Sequence, residues 1–149
     1  MTCARVSACA AAVALIAATS AVSAVSPTQY RQKASAICRT TTFKLKTVKP
    51  LTSTADLNRF LKQALPIFTA QYLALRRLSV PRSLRVLHGR ALTAEKLQLD
   101  GIRAGIKKLD AGADPTATFN AMDKKLSPIG NAEDAAWRKL HIAACVSVG

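Results

Sequence analysis

Apolar positions in this chain recur at steps of three and four along four successive stretches, the spacing of a buried stripe on an α-helix. In the first, Tyr30, Ala34, Ile37, Cys38, Thr41, Leu45 and Val48 follow "SPTQ" at 26–29. Ser26 suits an N-cap, Pro27 the first helical position, and Gln29 the return partner of a capping box. Lys49-Pro50 closes the stretch. The second stripe, Leu57, Leu61, Ala64, Phe68, Tyr72, Leu75 and Leu78, follows "STAD" at 53–56, a weaker capping box with Asp56 in the glutamate position. Pro66 lies inside it, removes one backbone hydrogen bond and predicts a bend.

Val80-Pro81 separates the second stripe from a third: Leu84, Leu87, Ala91, Leu99, Ile102, Ile106 and Leu109. "DAGADP" then offers Gly112 as a C-cap and Asp114 as the next N-cap, with Pro115 behind it. The fourth stretch carries Phe119, Met122, Leu126, Ile129, Ala136, Trp137, Leu140 and Ala144, and "SPIGN" at 127–131 predicts a kink or a split. No stretch alternates convincingly at period two. Short links between amphipathic helices make antiparallel neighbours. The expected fold is therefore all-α, an antiparallel up-down-up-down four-helix bundle kinked in helices 2 and 4.

The first 24 residues have a different pattern: one arginine, an uncharged run rich in alanine and serine, then Val22-Ser23-Ala24. Small residues at the last and third-last positions fit a signal-peptidase site, so residues 1–24 are expected to be a cleaved leader and 25–149 the bundle domain. Alanine and serine insert weakly into a bilayer, so a membrane location is expected only if the leader is retained.

Cleavage changes the cysteine arithmetic. Cys3 and Cys9 leave, and Cys38 and Cys145 remain. Two cysteines in an exported chain are most simply one disulfide. In an up-down-up-down bundle the first and fourth helices are neighbours, which lets Cys38 meet Cys145 and pin a frayable end.

Charge narrows the function classes. The 149 residues include 22 basic and 8 acidic side chains, net +14, and loss of Arg5 with the leader leaves +13. Such a surplus points to an anionic envelope polymer or an acidic protein surface as partner. On the third helix Arg82, Arg85, Lys96, Arg103 and Lys107 share about 60° of arc beside the apolar face. With Arg76-Arg77 they form a long cationic edge, the expected anion-binding site; Asp100 interrupts it. Export and the lack of any DNA-reading motif argue against sequence-specific nucleic-acid binding.

Catalytic chemistry is poorly represented. Nucleophile elbow, zincin, phosphate-loop and dinucleotide patterns are all missing, and the carboxylates look spent at helix starts or beside basic residues, as with Glu95-Lys96. Glu133 and Trp137 share a helical face without forming an acid–base pair. The expectation is a non-enzymatic protein without a cofactor. One alternative uses the two histidines. His88 falls on the apolar face of helix 3 and His141 beside Trp137 and Leu140, at comparable heights when counted from the 110–114 turn. That count allows a haem- or small-molecule-binding bundle with His88 and His141 as ligands. The plainer reading puts both at the bundle margin, bonded to backbone carbonyls or water. Two histidines supply only half of a typical structural zinc site.

The layout resembles a group of small exported helical proteins from high-GC bacteria. Tyr30, Ala34, Ile37-Cys38, "LALRRLSVP" at the end of helix 2, and Leu140 with Cys145 carry the resemblance. "RKLHIAAC" departs from that pattern in having no glycine before its cysteine. The resemblance implies a helical fold and a disulfide, and no activity.

Overall fold

The computed structural model describes residues 25–147, and the expected leader lies outside them. Four helices, α1 (Pro27–Leu45), α2 (Leu57–Arg76), α3 (Arg85–Asp110) and α4 (Pro115–Lys139), form an antiparallel up-down-up-down bundle. Among the described residues there is no strand, and no helix is long and apolar enough to cross a membrane.

The caps explain several of the boundaries. Ser26 Oγ accepts from Gln29 N and Gln29 Oε1 accepts from Ser26 N, both at 3.2 Å, which completes the capping box of α1. Asp114 Oδ1 accepts from Ala117 N at 2.7 Å and starts α4. The "STAD" box is not made. Ser53 gives no side-chain cap; a 3-10 turn at Thr54–Asp56 leads into α2, and Thr52 Oγ1 donates to Asp56 Oδ2 instead. The first helix also stops short of Val48, because its last turn tightens into i→i+3 bonds from Lys46, Thr47 and Val48.

Neither proline splits its helix: α2 runs through Pro66 and α4 through Pro128. Both rings are exposed, so each helix loses one backbone hydrogen bond where water can serve the freed carbonyl.

α3 and α4 share the largest interface. Gly101 and Gly105 are buried on it, and a Cβ at either position would collide with Leu126 or Met122. Here "GIRAG" serves close helix packing. The principal core combines Tyr30, Ala34, Cys38, Leu75, Ala91, Trp137, Leu140 and Ile142; a smaller one at the far end holds Leu57, Leu61 and Leu109.

The seam between α1 and α4 differs from the expected one. The fourth helix does not continue to Ala144. It ends at Lys139, and the chain turns back as a hook whose 3-10 turn, Ala143–Cys145, packs on α1. Ile142 N donates to Trp137 O and His141 N to Arg138 O, the two bonds of a Schellman motif. His141 occupies its left-handed position with φ 58°. The expected glycine of "RKLHIAAC" is absent, and a histidine adopts the conformation a glycine would favour. At the end of α3 the same two bonds form around Gly112, with φ 84°. The hook carries Cys145 to Cys38 in a disulfide with the Cα atoms 5.1 Å apart. The bond links helix 1 to the returning hook rather than to helix 4 itself.

Candidate functional site

The cationic edge falls into three parts. Arg76 ends α2, Arg82 sits in the 3-10 turn before α3, and Arg85 opens α3; with Arg77 and Arg90 they are exposed and have no carboxylate partner among the described residues. Arg85 Nε donates to Val80 O across the turn at 3.3 Å. Farther along α3, Lys96 and Arg103 both close on Asp100, at 2.6 and 2.9 Å. The Lys96 hydrogen bond, aided by Arg103, holds the Asp100 carboxyl below its usual range. Lys107 is exposed in the last turn of α3. Of the seven expected residues four lie at the α2–α3 corner, two pair with Asp100, and Lys107 stands apart.

The acidic side chains explain why so much charge is left over. Asp56, Asp100, Asp110 and Asp134 take all five ion pairs of the described residues, Asp114 caps α4, and Asp123 accepts from Ser127. Glu95 and Glu133 are buried and touch no cation.

The histidines are placed unlike one another. His88 is buried, not marginal; Tyr30 Oη lies 2.7 Å from its Nδ1, and its ring meets Tyr30 and Trp137 edge-on. Burial lowers the His88 pKa and raises that of Tyr30 to about 12, so the pair is held neutral. His141 is exposed on the hook. Neither lines the central pocket of the bundle.

That pocket, about 430 Å³, opens where the α1–α4 seam would otherwise be filled. The disulfide and the hook form one wall, Thr41 and Leu45 of α1 another, and Phe68 and Gln71 of α2 a third. Glu95, Gln98 and Glu133 come from α3 and α4. Gln71 Nε2 donates to Glu95 Oε1 at 3.1 Å, while Glu95 Oε2 has no partner. Glu133 is satisfied at both oxygens, by Trp137 Nε1 at 3.1 Å and by a short bond from Gln98 Nε2. Burial, reinforced by the Glu133 charge, pushes the Glu95 pKa up to about 8; burial also raises Glu133 to about 7.

Local reading misses this layer. Glu95 looks neutralised by Lys96, its neighbour in sequence, yet adjacent residues on a helix point about 100° apart. The useful signal is the gap in the third stripe between Ala91 and Leu99, where Glu95 takes the inward position. Among the described residues no group of three or more histidine, cysteine or carboxylate side chains is placed to hold a metal ion. No protein-family model, curated protein or solved structure matches this chain.

Proposed function

We propose that this is an exported, non-enzymatic helical domain that binds an anionic envelope polymer through the α2–α3 arginine corner. The observation that carries the reading is the grouping of Arg76, Arg77, Arg82 and Arg85 around one turn without a carboxylate partner among the described residues. Arginine offers a planar fork of donors suited to phosphate and carboxylate, and four such forks around a turn give a polymer several contacts at once. Export is supported by the Cys38–Cys145 disulfide, a bond rarely kept in a reducing cytosol.

The test is binding to sodium polyphosphate and to poly-L-glutamate across a series of salt concentrations. Affinity should fall steeply with salt, since each neutralised phosphate contributes roughly 0.7–0.9 to the logarithmic slope. Changing Arg76, Arg77, Arg82 and Arg85 to glutamine should flatten that slope, while Lys96→Gln and Arg103→Gln should change it less. Binding absent at low salt, or indifferent to salt, would refute the reading. Mass spectrometry of the protein from its host's envelope should find a chain beginning at Val25 without free thiols.

A further inference from the structure

The central pocket contradicts the character of the rest of the molecule. The chain has 22 basic residues, yet among the described residues none of them lines this cavity and two of the eight acids do. Glu95 is only 5 % exposed, lines the pocket, and leaves Oε2 without a partner. A buried carboxyl oxygen in that state is costly unless something donates to the carboxylate or accepts from the protonated acid. Protein groups already serve the other three oxygens of the pair, so the unmet demand is confined to Glu95 Oε2. The remaining walls are largely apolar, with Leu45, Phe68, Leu99, Ile102 and Val146 around the carboxyls.

We propose that the pocket is a binding site for a small organic ammonium with a short apolar body, its nitrogen donating to Glu95 Oε2. An anion would meet Glu133 without a compensating cation. A hard metal ion seeks six or more oxygens, and the pocket offers no cluster of three acidic, histidine or cysteine ligands. A primary ammonium needs fewer acceptors, and its hydrocarbon part suits the apolar walls. The size of the cavity and its wall of disulfide and hook favour a free amine over a lysine on a partner protein.

Binding should carry a proton signature. The titratable group facing Glu95 is Glu133 on α4, itself raised further by the Asp134 charge; α1 offers Thr41, α2 Gln71, and the hook the disulfide. Below about pH 8 Glu95 is largely protonated, so an arriving ammonium drives that proton into solvent as the carboxylate forms.

The experiment is calorimetry on the disulfide-intact protein with n-hexylammonium chloride, 1-hexanol and sodium hexanoate at pH 7, in two buffers of different ionisation enthalpy. Hexylammonium should bind best, release protons, and weaken about tenfold or more in Glu95→Gln. Carbon-13 shifts of the Glu95 carboxyl in the unsubstituted protein should report ionisation on binding, so the test survives a variant that misfolds. Raised salt should leave this binding undiminished, because buried pairs are screened little, while polymer binding collapses. The two proposals can therefore fail separately. Hexanol or hexanoate binding as tightly, no proton release, an unaffected Glu95→Gln variant, or preference for calcium chloride or an acetyl-lysine amide would each overturn it.

Discussion

At the disulfide end of the bundle Tyr30, Cys38, Leu75, Trp137, Leu140 and Ile142 are sealed from solvent, and His88 is wedged edge-on between two rings. At the other end the buried core is Leu57, Leu61 and Leu109, with Phe60, Ile102, Ile106 and Met122 half-covered around them. The difference comes from how many elements reach each end. Near Cys38 all four helices and the hook converge. At the far end α1 has stopped at Leu45, and three helices remain. Surface ties help there: Lys62 and Asn58 both reach Asp110, and Thr54 meets Thr116. Such exposed bonds contribute little individually, so close packing of Gly101 and Gly105 against α4 matters more. The carboxyl layer lies between the two regimes and belongs to neither.

Removing the covalent bond should separate the two ends most clearly. Its 107-residue separation gives on the order of 4–5 kcal/mol in the chain-entropy model. Cys38→Ala with Cys145→Ala should lower the denaturation midpoint accordingly, and amide exchange should show the hook and α1 losing protection before α3 and α4. Uniform loss along the chain would mean the two ends are not separable.

Next in size is a matched pair of truncations. Trp137→Ala should cost about 3–5 kcal/mol, because it empties the aromatic cluster and strips Glu133 of a donor. Leu61→Ala should cost about 2–3 kcal/mol, since its surroundings are thinner and partly wet. Equal losses in urea melts would erase the distinction between the ends.

The carboxyl layer makes stability depend on pH. Glu95 and Glu133 have folded pKa values near 8 and 7, above the ordinary 4.5, so folding takes up protons between those limits. That stability is fully present below about pH 4.5 and is lost as pH rises through 7–8, by on the order of a few kcal/mol. His88 works in the opposite sense: its lowered pKa means stability is lost as pH falls below 6.5. Melting temperature should therefore peak in mild acid and decline towards pH 9. Glu95→Gln should flatten the alkaline decline and leave the acid limb in place.

The smallest effect compares the two helix ends that share a Schellman motif. Gly112 holds the left-handed position at no steric cost, whereas His141 holds it with a side chain. His141→Gly should stabilise the protein by about 0.5–1 kcal/mol in chemical denaturation, and Gly112→Ala should destabilise it.

Much of this architecture is readable from punctuation. Ser26, Gln29, Gly112 and Asp114 mark helix ends through chemistry confined to a few residues, and four stripes of the right period leave little choice but a bundle. The errors arise where a distant part of the fold decides. Nothing local forbids a helix through Ala144, because histidine is no stop signal. Ile142 leaves the helix to be buried in the principal core, and the disulfide holds the turn at Ala143–Cys145 against α1. Pro128 looks disruptive, yet on an exposed face it costs one bond rather than the helix. The pocket is hidden for a related reason. Glu95 and Glu133 are 38 positions apart, and only the α3–α4 crossing shows that they share a cavity lined by no basic side chain among the described residues.

The disulfide also decides how the chain would carry mechanical load. Residues 38–145 lie within a covalent ring that contains α2, α3 and α4. A pull applied at the two ends of the chain enters at Cys38, crosses the sulfur bridge, and leaves at Cys145. Among the described residues, the early turns of α1 and the two positions after Cys145 lie in the line of tension. A protein built this way stretches briefly and then holds. Force passing through the bridge bypasses the backbone of α2, α3 and α4, which carries the arginine corner and most of the carboxyl pocket.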